Sequence, residues 1–454
     1  MSSLLWTLAV YAGTVLIAWR LRLVKLRTVE DRRVLLAILL VLAGAHSTAV
    51  RTGAEDVAAN PVVIETAMRG LLDLLALLVV VPLLPRADWR RTVGNNLGAM
   101  FLIAYLAVAG ISTLYSVAPI VTAGKAFELA VGLIVILTAV GMEPGGATGR
   151  VQSFVRTVVL FEAGLLITAL AGFFLMPQTF SLVEARPGFF LPQILTSPYA
   201  HSNGLSSMGA LVSAYGFAEF WAAEAGQARR LWLGLGVLGA ICAALASGRQ
   251  GAVIWIASMA VLLWVCKRRW FLILVAPTAV ALAVAYRDVL LAVLSRGQAS
   301  VTLATWSGRL EFWDAALEVW EQHPWLGYGF GAGGRFVALE SIGEDAVGSL
   351  HSGYMEALTG VGIVGVVPLG LAIALMVVWA IRCLRARRLV SMAILVIPLL
   401  IRTFVSTGFG GWLNGEFLIF AALVLVAREH RRRRWIRPGS GLPESRKLVE
   451  QRRP

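Results

Sequence analysis

Long apolar runs, separated by short basic loops, constrain this chain more than any other feature. Three of them are "LLDLLALLVVVPLLP" (71–85), "LGAMFLIAYLAVAGI" (97–111) and "VGIVGVVPLGLAIALMVVWAI" (361–381). About 20 helical residues, rising ~1.5 Å each, cover the ~30 Å hydrocarbon core of a bilayer. The chain is 58% hydrophobic and only 15% charged over 454 residues, against roughly 45–50% and 25% in soluble domains. Inside a bilayer every backbone polar group needs an internal partner, so only helices and closed barrels can span it. The runs are continuous rather than alternating, which selects helices. The expected fold is an all-α integral membrane protein, a polytopic bundle.

About thirteen such spans are expected, centred near residues 11, 41, 74, 104, 134, 163, 212, 239, 259, 278, 368, 397 and 422. The first lacks a basic segment ahead of it and reads as a span, not a cleaved signal peptide. Basic loops at 20–33, 86–91, 228–230, 266–270 and 382–388 mark the cytoplasmic side. The alternate segments 46–61, 114–124, 177–203, 247–251, 287–350 and 406–415 then face outward. Thirteen spans put the N-terminus outside and the C-terminus in the cytoplasm. This division also disposes of a nucleic-acid reading of the +14 net charge, because the Lys and Arg follow membrane sidedness. The chain divides into a membrane domain, 1–427, and a basic tail, 428–454. The tail is polar and Arg-rich, and is expected to be disordered and to touch anionic lipid.

The largest outward segment, 287–350, contains "GRLEFWDAALEVWEQHPW" (308–325). Leu310, Trp313, Leu317 and Trp320 recur at helical spacing, with Glu311, Asp314, Glu318 and Glu321 opposite. This predicts an amphipathic helix at the membrane surface. The glycine-rich "GYGFGAGG" (327–334) that follows reads equally as a flexible connector or a structured turn. The glycines of "LWLGLGVLGA" (231–240) suit internal helix packing as well as a dimer contact. Cys242, Cys266 and Cys383 lack metal-ligand spacing and read as small packing residues.

Three outward positions carry groups suited to chemistry: Ser247-Gly248-Arg249, Ser307-Gly308-Arg309 and Leu350-His351. A planar guanidinium makes paired, charge-assisted hydrogen bonds to phosphate oxygens and keeps its proton. Two of them suit a diphosphate, and stabilise its charge if it leaves. A histidine at the same surface suits proton abstraction from a hydroxyl. No D-x-D sequence and no His/Cys cluster points to a metal. Each residue alone also has a plainer reading. His351 suits a helix start, Arg249 a boundary anchor, and Arg309 an ion pair with Glu311 or Asp314. Around them, His201 and Asn203 open the seventh span, where Asn203 suits helix capping or a sugar hydroxyl. Glu65, Arg69 and Asp73 share one helix face and either neutralise one another or make Arg69 a substrate contact. Lys125 and Glu128 pair similarly, and Arg402 is a further phosphate candidate.

The segments "HSNGL" (201–205), "SGRQGAVIW" (247–255), "SGRLEFWDAALEVWEQHPWLGYGFGAGG" (307–334) and "LHSGYMEALTGVGIVG" (350–365) resemble, in this order, the bacterial O-antigen ligase and polysaccharide polymerase family. The resemblance covers about residues 195–380. It implies a GT-C-type, metal-independent glycosyltransferase without cofactor. Its donor would be an undecaprenyl-diphosphate-linked glycan, used at the periplasmic face of the inner membrane. The acceptor would be another glycan or lipid A-core, and other polysaccharide assembly proteins are expected partners. By motif position the resemblance gives Arg249 and Arg309 the diphosphate and His351 the transfer step. "LGYGFGAG" leans toward the exopolysaccharide polymerase branch. The ligases of the family have twelve spans with both ends inside, one fewer than expected here. A flippase of lipid-linked glycans is the competing reading, but such transporters favour paired repeats, and none is evident. A scaffold for polysaccharide machinery is a third.

Overall fold

The computed structural model describes residues 29–46, 64–94, 96–142, 147–183, 193–268, 308–344, 348–411 and 413–427. The expected spans centred at 11 and 278, the first part of the 287–350 segment and the basic tail lie outside the described residues. The other expected centres all fall on helices. In chain order these are α1 (Val29–His46), α2 (Ile64–Val80), α3 (Leu97–Ile111), α4 (Pro119–Gly141), α5 (Ala147–Leu175), α6 (Ser202–Ala222), α7 (Gln227–Leu245), α8 (Arg249–Val265), α10 (Gly353–Ala386), α11 (Val396–Val405) and α12 (Gly415–Val426). Between α8 and α10 lies the surface helix α9 (Arg309–Gln322). One short antiparallel hairpin, Ser181–Val183 with Gln193–Leu195, sits in the segment between α5 and α6. Among the described residues, six segments are long and apolar enough to cross a membrane: 67–86, 97–114, 119–141, 148–175, 227–245 and 353–386. The protein is therefore an all-α, multi-pass membrane protein.

Local chemistry sets several helix starts. Pro119 stands at the first turn of α4, where its missing N–H costs nothing. Asn96 caps α3 by accepting from the Ala99 N–H, and Asn414 caps α12 by accepting from the Phe417 N–H. The twelve residues of α12 are all buried, so this helix forms the centre of the bundle. Phe409 and Phe420 stack there at 4.1 Å.

Helices α6 and α7 approach most closely where both present small residues. A Cβ placed on Gly209 would lie 2.6 Å from the Gly239 carbonyl oxygen. Gly236 and Gly239 of "LWLGLGVLGA" thus serve internal packing, the van der Waals route to helix association in lipid, while Gly234 is exposed.

The glycine-rich turn is a structured element, which closes off the connector reading. Helix α10 is broken at Gly362, whose φ of 56° falls in the left-handed region. A side chain there would collide with the Trp325 carbonyl at 2.4 Å. The segment after α9 docks into the break. Tyr328 and Gly329 N–H groups donate to Thr359 and Gly360 carbonyls at 2.9 and 2.8 Å. In return, the Ile363 and Val364 N–H groups donate to Pro324 and Trp325 carbonyls at 2.9 and 3.1 Å. A break in an apolar helix frees backbone groups that lipid cannot satisfy. This segment satisfies them, and so fixes the C-terminal end of α9 to α10.

The face that α9 buries in the protein overlaps the apolar stripe expected at the membrane surface only at Trp313. Phe312, Trp313, Ala315, Ala316 and Val319 are buried, while Leu310 and Leu317 remain exposed. Ala316 allows close approach to Ala338, Leu339 and Leu350. A pattern weighted by the largest apolar side chains overlooks that advantage.

Candidate functional site

Arg249, Arg309 and His351 all stand at the starts of helices. Arg249 is the first residue of α8, after Ser247 at φ 51° and an N-cap glycine, Gly248, that provides no side-chain cap. Arg309 is the first residue of α9, after Gly308 at φ 82°. His351 itself takes φ 53° and lies two residues before α10, whose N-cap Ser352 makes no side-chain cap bond. Each chain entry thus turns through a left-handed residue immediately before an uncapped helix. The first N–H groups of a helix lack intrahelical partners and carry partial positive charge. Arginines placed there oppose the helix dipole rather than complement it, an arrangement suited to an anion.

Side-chain contacts fix the entries to α8 and α10, and Arg309 lies within electrostatic reach of Arg249. Helix α6 fixes the entry to α8. The Ser206 hydroxyl donates to the Gly248 carbonyl at 3.1 Å, and Gln250 Nε2 donates to the Asn203 carbonyl at 2.7 Å. Arg309 is half-buried. Burial first, and the like charge of Arg249 second, hold its pKa below the ordinary arginine value. Among the described residues Arg309 makes no ion pair, so the pairing with Glu311 or Asp314 that the sequence allowed is not formed. One turn along α9, the Phe312 ring stacks on His351 at 6.5 Å and 28°. Trp313 Nε1–H donates to the Leu350 carbonyl at 3.0 Å. Helix α9 therefore delivers Arg309 towards Arg249 and contacts His351 from the same face.

The remaining candidates divide. His201, not Asn203, caps α6: its Nδ1 accepts from the Asn203 N–H at 3.3 Å. The expected capping by Asn203 is corrected by the sequence offset, because the helix starts at Ser202. Nδ1 as acceptor leaves the neutral ring's proton on Nε2. Asn203 instead receives Gln250, which ties it to the Arg249 entry. Arg402 pairs with Glu416 through a short contact, and its guanidinium would lie 4.0 Å from a Cβ on Gly204. It stands behind the first turn of α6. Arg69 is further inside. It is buried, pairs with Glu128 of α4 at 2.8 Å and donates to the Leu413 carbonyl at 2.9 Å. Neutralisation of Arg69 thus runs between helices. Glu128 is the partner of Arg69, and the charge of Lys125 faces both Glu128 and Glu356. His46 lies 3.7 Å from Glu162. Buried charges that are paired in this way hold helices in register. Sequence reasoning missed Gln250, Phe312, Trp313, Glu162 and Glu416. Glu416, the second residue of α12, and Glu162 carried a readable signal, each as an isolated acid in an apolar span, and Trp313 was readable as part of the apolar stripe.

Residues 234–370 match the protein family described as O-antigen ligase. No curated protein matches the chain. The matched stretch contains most of α7, all of α8 and α9, and the first half of α10, with Arg249, Arg309 and His351 inside it. His201, Asn203, Arg69 and Arg402 fall outside it. The match supports assignment to the O-antigen ligase and polymerase family, and with it a ligase- or polymerase-type role in glycan assembly at a membrane.

Proposed function

We propose that this chain, with its O-antigen ligase-type domain, is a metal-independent glycosyltransferase of the bacterial inner membrane. It takes a glycan from an undecaprenyl diphosphate donor at the periplasmic face, and the C-terminus is cytoplasmic. The observation that carries the reading is the pair of guanidiniums at two adjoining, uncapped helix starts. Arg309 lacks an acidic partner among the described residues and has Arg249 as its like-charge neighbour. Two partly buried cations repel each other and oppose their helix dipoles unless an anion lies between them. A diphosphate answers both the charge and the forked geometry.

The residues then divide the work. Arg249 and Arg309 bind the donor diphosphate and stabilise the charge that grows on it as the bond to the sugar breaks. His351 accepts the proton of the acceptor hydroxyl as that oxygen attacks the sugar C1. The C1–O bond to phosphorus breaks, and its electron pair leaves with the polyprenyl diphosphate. His201 and Asn203, at the neighbouring start of α6, contact the sugars. Arg402, behind them, and Arg69, deeper, complete the wall in paired form. Polymerisation onto a second lipid-linked glycan is favoured over transfer to lipid A-core.

Reconstitution tests this. Purified protein in liposomes receives labelled undecaprenyl-diphosphate glycan, with or without lipid A-core, and products are resolved by size. Chain growth without lipid A-core is expected. Product only when lipid A-core is present would identify a ligase. Movement of intact donor between leaflets without any new product would identify a flippase and overturn the reading.

A further inference from the structure

The turn that carries His351 is held from two sides. On one side, Trp313 donates to the Leu350 carbonyl at 3.0 Å. On the other, the N–H of the same residue donates to Glu356 Oε1 at 2.8 Å. Both polar groups of the Leu350 backbone are thus taken by side chains, immediately before a left-handed histidine. A non-glycine residue at positive φ persists only where its surroundings over-determine it. Leu350 is fully buried, so water does not substitute for either partner.

Glu356 is itself fixed. It is buried in the first turn of α10. Its other oxygen packs on the Gly334 backbone, where a Cβ would lie 2.6 Å from Oε2. The cations Lys125 of α4 and Arg335 of the turn after α9 face it. A carboxylate in a protein interior is costly without such partners. The simplest helix-start role for Glu356 would be to bond the first N–H groups of α10. It instead accepts from the N–H of Leu350, a residue outside the helix and adjacent to His351.

We propose that Glu356 is a positioning residue for His351, acting with Trp313 to lock the Leu350–His351 turn so that the imidazole is presented towards the Arg249–Arg309 pair. The inference rests on the role given to His351 above and deepens it. Glu356 touches neither donor nor acceptor. It acts through the backbone, so its loss misplaces the imidazole without touching the diphosphate-binding arginines. A displacement of about 1 Å at a reacting group can cost ~100-fold in rate.

The test uses full-length protein in liposomes with labelled undecaprenyl-diphosphate glycan. Donor binding, single-turnover transfer and hydrogen exchange over 345–355 are measured for E356A, E356Q, W313F and H351A. E356A is expected to lose ~100-fold in turnover rate, keep donor affinity within about twofold, and exchange the Leu350 amide faster. E356Q retains an acceptor oxygen for that amide and is expected to recover most of both signals. W313F, which removes the indole N–H and no charged group, should slow turnover by about tenfold with binding intact. It keeps the proposal open to refutation if E356A does not fold. Wild-type turnover in E356A, parallel loss of donor binding and turnover, or E356Q as slow as E356A would each overturn the positioning role. H351A transferring at the wild-type rate would overturn the underlying mechanism instead. H351A inactive beside a fully active E356A would overturn only the positioning.

Discussion

Arg309 offers the sharpest separation of function from stability. Its side chain makes no ion pair among the described residues, and its nearest noted charge is the like-charged Arg249. Replacement by Lys keeps the charge and removes the fork. If Arg309 makes two charge-assisted hydrogen bonds to the diphosphate, Lys keeps one of them. A hydrogen bond to a charged group is worth roughly 1.5–3 kcal/mol. At ~1.4 kcal/mol per tenfold, R309K should slow transfer by about 10- to 150-fold. R309M removes both bonds and the charge, and should be slower again. Stability should move the other way, or not at all. Neither substitution breaks an ion pair or a side-chain cap among the described residues, so unfolding should shift by no more than ~0.5 kcal/mol, and R309M, which removes the charge, also relieves the repulsion from Arg249. The assay is single-turnover transfer in liposomes beside thermal unfolding in detergent. Full activity in R309K would refute the fork argument. A loss of activity matched by a loss of stability would show that Arg309 holds the fold and not a ligand.

Two further substitutions test the framework around the site. R402A strips the buried Glu416 of its partner, and should cost ~3–5 kcal/mol in thermal or denaturant unfolding while donor binding by folded protein persists. Unchanged stability with lost binding would return Arg402 to the phosphate site. G362A forces a side chain into a left-handed position 2.4 Å from the Trp325 carbonyl, and should destabilise by at least ~1–2 kcal/mol. Hydrogen exchange at Tyr328 and Gly329, which donate across the break, should quicken, and unaltered exchange there would contradict the docking of that segment.

Hydropathy carried most of the architecture, because a helix that crosses lipid must be apolar along nearly its whole length. That is why the expected centres at 41, 104 and 134 fall within helices. The same signal is blind to which apolar residues are interior. α9 showed this most clearly, since alanines at 315 and 316 outranked Leu310 and Leu317 at the buried face. The break at Gly362 was also invisible, because it depends on a partner segment some thirty residues earlier in the chain. Of the candidate site, the two arginines were legible as charges beside glycine, and His351 as a titratable ring at the start of a span. What held them was not. Gln250, Phe312, Trp313 and Glu356 act through tertiary contacts, and Trp313 was readable only as one of several interfacial tryptophans. For Arg69 and Arg402 the missing part was the ion pair. An intramembrane arginine suggests a ligand when its carboxylate partner, here Glu128 or Glu416, lies on another helix.

The central claim separates binding from transfer, and one measurement reads both. Equilibrium binding of labelled undecaprenyl-diphosphate glycan and its single-turnover transfer would be followed in the same liposomes for wild type, R249M, R309M and H351A. The account predicts that H351A binds donor like the wild type and loses at least ~100-fold in transfer, while R249M and R309M bind donor weakly. H351A transferring at the wild-type rate, or both arginine variants binding donor at full affinity, would contradict it.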